Sequence, residues 1–447
     1  MKQIRLTAPT EVINVVITLP SSKSICNRAL IMHALSGATD SIQNLSDCDD
    51  TSVMLRALKE MPEVIDIHAA GTAMRFLTAF LSITEGEHII TGTERMKQRP
   101  IRILVNALRM LGAQITYTEQ EGFPPLQISG CPLSQHEVSL PGHVSSQYIS
   151  ALLLIGPMLP NGLHLTLTGD IVSRPYINLT LQLMKNFGAD ASWITSNELL
   201  VKAQPYHSIP FIVESDWSAA SYWYEIVALS SDATVVLPSL YADSFQGDAK
   251  VAELFAVLGV STQYEEDENC NGVKEGETEK ARDKAKDKET EKEEAKDKTV
   301  PQSRSVILKR IPRTIQRMEY DFVNQPDLAQ TFVVTCALLD IPFCFSGLQS
   351  LKIKETDRMA ALINELRKLG YVLTETDGSI LSWNGERCKA DTHPVIDTYE
   401  DHRMAMAFAP VCLHIKDLRI NNPQVVSKSY PRYWETLTQA GFGIEEN

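Results

Sequence analysis

IRILVNALRMLGAQITY, residues 101–117, carries apolar residues at three- and four-residue steps up to a glycine, after which the apolar period shortens toward two. The first part is the stripe of an amphipathic helix, Gly112 sits where a helix end needs a left-handed backbone, and the remainder alternates as a strand does. The pattern recurs as NLTLQLMKNFGADASW, AKVAELFAVLGVSTQY, RMAALINELRKLGYVLTE and YWETLTQAGFGIEE. The glycines, Gly112, Gly188, Gly259, Gly370 and Gly441, are spaced by 76, 71, 111 and 71 residues. Only the third gap is out of step. It contains EEDENCNGVKEGETEKARDKAKDKETEKEEAKDK, residues 265–298, and without those 34 residues it shrinks to 77. The tract is therefore expected to be an insertion in one repeat, too poor in large apolar side chains to fold by burial: a disordered loop or a solvated helix laced with Glu/Lys pairs. A sixth, weaker copy, DDTSVMLRALKEMPEVIDI, has Met61-Pro62 in the glycine's place. Six copies predict three per domain in a compact α/β arrangement, because the period is too long for a solenoid of short repeats.

The bulk numbers agree with that reading. A chain of 447 residues exceeds what one hydrophobic core supports, and 44% hydrophobic residues can fill two. MKQIRLTAPTEVINVVITLP has no charged leader followed by an apolar core, and no apolar run reaches membrane-spanning length, so a cytoplasmic location away from membranes is expected. Eight cysteines are scattered without a close CxxC pair, which argues against a zinc knuckle or a disulfide framework. The net charge of −14, of which −5 falls on residues 265–298, disfavours nucleic acid as a partner. A local cation cluster could still hold a small anion.

Several segments supply such cations at expected helix starts. SSKSICNRAL, residues 21–30, places Lys23 and Arg28 with Ser21, Ser22 and Ser24 where a helix near Ser24 would expose its N–H groups and positive dipole end. An anion site and a plain serine-capped helix both account for it. HAAGTAMRFLTAFL puts Gly71 and Thr72 ahead of an apolar helix with Arg75 one turn on, and MKQRPIRILV puts Arg99 before Pro100. Glycine admits the close approach of a phosphate and arginine can clamp one, but capped helix starts and exposed loop arginines look the same in sequence. Ser145, Ser146 and Gln147 in HVSSQYISALLL, and Ser173 and Tyr176 in IVSRPYINLTL, suit a polyhydroxylated ligand or helix caps. The C-terminal half adds Asp327 in NQPDLAQTFVVTCALL and Lys354, Glu355, Asp357 and Arg358 in LKIKETDRMAALI. YEDHRMAMAFAPV contributes Asp401, His402 and Arg403, and VSKSYPRYWETL contributes Lys428. Carboxylates beside cations can stay ionised or be poised for proton transfer, depending on burial. With no second histidine at ligand spacing, His402 reads as a structural histidine tied to a carboxylate more readily than as a base or metal ligand.

Taken in order, LPSSKSICNRAL, AAGTAMR, QRPI, SSQY, SRPYI, SDWSAASY, QGD, QPD, KIKETDR, DHRMAMAF and SKSYPRYW closely resemble the 5-enolpyruvylshikimate-3-phosphate synthases, a family of enolpyruvyl transferases. The resemblance spans nearly the whole chain outside residues 265–298. It implies an α/β, two-domain enolpyruvyl transferase fold, each domain three β-α-β-α-β-β repeats, with helix N-termini facing the cleft between them. One domain would be discontinuous, residues 1–20 plus 216–447, and the other would be residues 21–215.

By the same resemblance, Lys23, Ser24, Arg28, Ser145, Ser146, Gln147, Ser173, Tyr176, Asp327 and Lys354 would surround shikimate-3-phosphate. Lys23, Gly71, Arg99, Gln147, Arg358, Arg403 and Lys428 would hold phosphoenolpyruvate. The implied reaction adds the substrate's 5-hydroxyl across the double bond of phosphoenolpyruvate and then eliminates phosphate. It calls for an acid, assigned to Glu355, and a base, assigned to Asp327, with Lys23 able to assist either transfer. No metal or organic cofactor is expected, a monomer is expected, and the cleft is expected to close on its ligands. The chain departs from the family pattern at Ala69, Phe76 and Ser350, where asparagine, proline and asparagine are frequent. A related transferase acting on a UDP-amino sugar would carry asparagine after its first lysine, where this chain has Ser24, and a cysteine near the MKQRP loop, where it has none. A noncatalytic binding protein is the rival of another class, and retention of Lys23, Asp327 and Glu355 speaks against it.

Overall fold

The structure is a computed structural model and describes residues 2–38, 42–266 and 304–446; the charged tract expected over 265–298 lies, from 267 onward, outside the described residues. All six helix-then-strand copies form. The helix Arg102–Leu111 ends at Gly112, whose φ of 111° lies in the left-handed region, and the strand Gln114–Tyr117 follows. In the weaker copy Met61 adopts that conformation itself, with φ 43° and ψ 52°, between the helix Asp49–Glu60 and the strand Val64–Asp66. The helix end requires the left-handed turn, and a side chain there is tolerated at a cost of roughly 1–2 kcal/mol.

Among the described residues there are five sheets of four strands. Each has one parallel pair and is completed by antiparallel strands; in four of them the parallel pair is joined through a helix, and in the fifth the other lobe lies between its two strands. Val64–Asp66 runs parallel to Gly86–Thr91, which pairs antiparallel with Leu126–Gly130, with Gln114–Tyr117 at the edge. The N-terminal strand Gln3–Thr7 sits between Leu418–Asn421 and Gly443–Glu446, tying the two ends of the chain into one sheet. Another sheet joins Ile13–Val16 to Ala233–Leu237, Arg304–Arg310 and Val260–Glu266. Here Glu266 faces Arg304 in register, so the inserted stretch leaves and rejoins the sheet at the open end of one antiparallel pair. Lengthening a connection there costs little, since loop-closure entropy grows only logarithmically. The remaining unit keeps its two helices, Lys23–Leu35 and Asp49–Glu60, with isolated bridges from Ser21 to Ser215 and Gln43 to Ile212 in place of a regular sheet.

Two separate apolar cores result. One gathers side chains from Ile25 to Val213, and the other combines Ile4 to Leu19 with Trp217 to Phe442. The chain crosses between them twice, and the crossings are stitched together where Ser22 N–H donates to the Glu214 carbonyl (2.8 Å) and Asp216 N–H to the Pro20 carbonyl (2.9 Å). Helices such as Gly71–Ile83 and Ala329–Leu338 are buried on nearly every side, which explains their apolar composition all round. A helix enclosed by sheets has its ends as its only polar outlets. Those ends build the site.

Candidate active site

Between the two cores lies a cleft of about 440 Å³ whose wall includes every residue the sequence singled out as a site residue except Lys428. Helices beginning at Lys23, Gly71 and Ser146 from one lobe, and at Trp217, Arg358 and His402 from the other, start on or beside this wall. Their free N–H groups and positive dipole ends give it a positive field. Side-chain caps set four of these six starts: Ser145 accepts from Gln147 N–H, Asp216 from Ala219 N–H, Asp357 from Ala360 N–H and Asp401 from Arg403 N–H.

The C-terminal lobe builds a dense ionic network. Arg358 donates from Nε to Asp401 Oδ2 (2.7 Å), from Nη2 to Glu355 Oε2 (2.9 Å) and from Nη1 to Asp327 Oδ1 (3.3 Å). Arg403 Nη2 reaches Asp327 Oδ2 at 2.8 Å, Lys354 Nζ lies 3.6 Å from Asp327 Oδ1, and Lys428 Nζ lies 2.8 Å from Glu355 Oε1. Lys428 thus joins the site through Glu355. Burial opposes the charge on Asp327, but Arg403, Lys354 and Arg358 outweigh it and hold the carboxyl well below the usual carboxylate range. Burial is likewise overcome at Glu355 by Lys428, Arg358 and Arg99, so it too is ionised. The acid role expected of Glu355 therefore requires a change in its surroundings before it can hold a proton.

The N-terminal lobe holds its cations differently. Arg28 is buried and, among the described residues, donates to neutral partners only: Thr180 Oγ1 (2.7 Å), the Ser24 carbonyl (2.8 Å), Ser150 Oγ (3.1 Å) and the Tyr176 carbonyl (3.4 Å), with Phe76 against its face. Arg75 donates to the Gly71 carbonyl (2.9 Å), and its Nε has no hydrogen-bond partner among the described residues. Burial lowers both guanidinium pKa values to about 10, and at Arg75 the neighbouring Arg99 adds to the effect. Glycine at position 71 leaves room for these two to converge, because a Cβ there would lie 2.7 Å from Arg99 Nη1 and 3.1 Å from Arg75 Nη1. Gln147 Nε2 donates to Thr72 Oγ1 at 3.1 Å. Ser173 stands at φ 55°, in the left-handed region, at the start of the helix Arg174–Asn186.

Lys23 sits where the lobes meet, its Nζ 3.4 Å from Asp50 Oδ2 and its backbone N–H on Asp216. Burial disfavours its charge, yet Asp50 foremost, with Glu355 among its other neighbours, raises its pKa above the ordinary value. His402 is buried, 3.7 Å from Asp401 Oδ1, with both ring nitrogens lacking a hydrogen-bond partner among the described residues. The tie to a carboxylate expected for it is a proximity rather than a hydrogen bond, and burial with Lys23 and Arg403 nearby keeps the ring neutral.

Three buried carboxylates took no assigned role in the sequence reading. Asp50 pairs with Lys23, Asp401 anchors Arg358, and Asp248 accepts from Ser218 Oγ and Tyr176 Oη (3.1 Å). Burial, with Asp327 nearby, pushes the Asp248 carboxyl up to about 6. Arg75, a possible clamp in the GTAMR segment, lies on the wall beside Arg99.

Comparison with known proteins follows the same lines. The family model of EPSP synthase (3-phosphoshikimate 1-carboxyvinyltransferase) matches residues 7–65 and 60–437. The chain is 59% identical over 440 residues to a 3-phosphoshikimate 1-carboxyvinyltransferase of Bacteroides fragilis (strain YCH46), covering 98% of each protein. It is 32% identical over 449 residues to one of Vibrio campbellii, covering 94% of this chain and 95% of that one. In fold it is similar to the solved EPSP synthase from Acinetobacter baumannii, with a TM-score of 0.73 and 20% identity over the whole of both chains.

Proposed function

The chain belongs to the EPSP synthase (3-phosphoshikimate 1-carboxyvinyltransferase) family, and from that premise we propose that the cleft between its cores is the catalytic centre. The enzyme transfers the enolpyruvyl group of phosphoenolpyruvate to the 5-hydroxyl of shikimate-3-phosphate with release of phosphate, a step of the shikimate pathway to the aromatic amino acids. The observation that carries the site reading is the convergence of cations from both lobes on one gap lined by helix N-termini. Two multiply anionic substrates repel each other, and only a preorganised positive shell brings them within reaction distance.

In this reading Ser24, Ser145, Ser146, Ser173 and Tyr176 face shikimate-3-phosphate, and the one N–H of Arg28 not already engaged points its charge at the same substrate. Lys354 and Asp327 take its other side. Phosphoenolpyruvate lies against Gly71, Arg99, Arg358, Arg403 and Lys428, with Lys23 and Gln147 between the two substrates. Asp327 removes the 5-hydroxyl proton as the oxygen bonds C2 of phosphoenolpyruvate, and the methylene carbon takes a proton from Glu355. Return of one methyl proton to the Glu355 carboxylate then accompanies cleavage of the C2–O bond, whose electron pair leaves with phosphate. The substrate's own charge makes Glu355 a proton donor: once the phosphate claims Lys428 and Arg99, burial dominates at Glu355, raises its proton affinity and lets it take up a proton from solvent before the cleft closes. Lys23, held protonated by Asp50, can assist either transfer.

Domains of residues 1–20 plus 216–447 and 21–215 supply the two walls, and closing them on the ligands excludes water. Both walls come from one chain, so a cytoplasmic monomer suffices. A phosphate-release assay with both substrates tests the reading and separates it from a noncatalytic binding protein: release must require both substrates, and its absence would overturn the assignment.

A further inference from the structure

Beside the main cleft a small pocket shares Ser24, Tyr176, Asp216 and Ser218 with it and is lined also by Gly247 and Asp248. The two lobes touch directly here. Tyr176 Oη, on the first turn of the helix Arg174–Asn186, donates across the gap to Asp248 Oδ1 at 3.1 Å, and Ser173 N–H donates to the Val323 carbonyl at 3.0 Å. Asp248 is 3% exposed, and its second oxygen is taken by Ser218 Oγ at the start of the helix Trp217–Leu229. The carboxylate therefore ties a helix start of one lobe to a helix start of the other. Gly247 makes the approach possible, for a Cβ on it would lie 2.6 Å from Pro175 Cβ, a ring carbon on the first turn of a helix that cannot swing aside as a flexible side-chain end would.

We infer that Asp248 is a positioning residue for the shikimate-3-phosphate side of the cleft: by accepting the Tyr176 hydroxyl from the opposite lobe it fixes where Ser173 and Tyr176 stand, and Gly247 lets the lobes meet closely enough for that bond to form. The inference rests on the function proposed above. Asp248 itself does not meet the reacting atoms; it acts through Tyr176. The backbone of Ser173, held at a positive φ, is part of what the tie secures, since a strained residue keeps its conformation only where its surroundings over-determine it.

The test compares Asp248→Ala, Asp248→Asn, Tyr176→Phe, the double variant Asp248→Ala/Tyr176→Phe, and Gly247→Ala with the wild type by phosphate-release kinetics and thermal melting. Asp248→Ala is expected to raise KM for shikimate-3-phosphate by about tenfold or more, the scale of a lost hydrogen bond to a charged group, with kcat and KM for phosphoenolpyruvate within about twofold. Asn, which still accepts from a hydroxyl, should recover most of the loss. The double variant should be no worse than the worse single one, because both remove one contact. Gly247→Ala, which keeps the carboxylate but props the lobes apart, should raise the same KM without lowering the melting temperature, and it decides the matter if Asp248→Ala fails to fold. Multiplying single effects, an Asn variant no better than Ala, or unchanged kinetics for Gly247→Ala would each overturn the inference. A wild type that releases no phosphate would instead overturn the proposed function.

Discussion

In the lobe of residues 25–213, Arg28 and Arg75 are buried against hydroxyls, carbonyls and rings with no carboxylate among the described residues bonded to them; in the other lobe, Arg358 is bonded to the buried Asp401, and Arg403 and Lys428 are bonded to the partly buried Asp327 and Glu355. The first arrangement leaves positive charge uncompensated, so burial, with Arg99 adding to it at Arg75, lowers the guanidinium pKa values to about 10. The second stores its charge in ion pairs. An anionic ligand entering the first lobe fills a vacancy, whereas in the second it must displace Asp327 or Glu355 from their cations. Displacement changes the proton affinity of those carboxylates, and this is where proton transfer is needed. Binding and chemistry are thus divided between the lobes by how each neutralises its arginines.

The largest test of that contrast is structural. Arg358→Met leaves Asp401 fully buried, and Asp327 and Glu355 partly buried, without their shared cation, and stripping one partner from a buried ion pair costs about 3–5 kcal/mol. Arg28→Met strands only neutral acceptors and relieves a buried charge, so about 1–2 kcal/mol is expected. Denaturant midpoints of the two variants check it; equal losses would erase the distinction. Next in size, Asp327→Ala should reduce turnover at least about a hundredfold with phosphoenolpyruvate affinity largely intact, because it removes the base and frees Arg403 and Lys354. Near-normal turnover would take Asp327 out of the base role. Smaller again is Gly71→Ala in the other lobe. The new Cβ meets the movable ends of Arg99 and Arg75, so a shift of the guanidinium accommodates it. KM for phosphoenolpyruvate should rise about tenfold, the scale of one misplaced methyl group in a pocket, and KM for shikimate-3-phosphate should stay put.

What sequence could reveal follows the range of the interaction. The helix ends were legible because a left-handed cap is local: Gly112 announces it, and Met61 shows that the turn persists where the glycine is missing. The cations were legible because they sit at helix starts, beside serines and prolines with their own local signatures. The carboxylates opposite them were not. Asp50 meets Lys23 and Asp401 meets Arg358 from 27 and 43 positions away, and nothing near either aspartate in the chain announces its partner. Asp401 reads as a helix cap, which it is, and its second duty emerges only when the sheets bring Arg358 alongside. The ionised state of Glu355 was out of reach for the same reason, since it depends on Lys428, far along the chain.

Acidification gives the mildest and most selective probe. Asp327 and Glu355 have pKa values depressed by folding, so the stability they contribute is fully present above the unfolded carboxyl range, about pH 4 to 5, and is lost as pH falls below it. Arg28 and Arg75, with pKa values of about 10, do not titrate in that window. The acid response should therefore begin in the C-terminal lobe. Four of the five tryptophans, Trp217, Trp223, Trp383 and Trp434, lie there, and only Trp193 lies in the other. Tryptophan emission followed from pH 7 to pH 3 should change first below about pH 5, and Asp327→Asn, which cannot titrate, should make the transition shallower. If Asp327→Asn leaves the acid transition unchanged, the buried ion pairs do not govern the stability of that lobe, and the division of labour between the two must be drawn elsewhere.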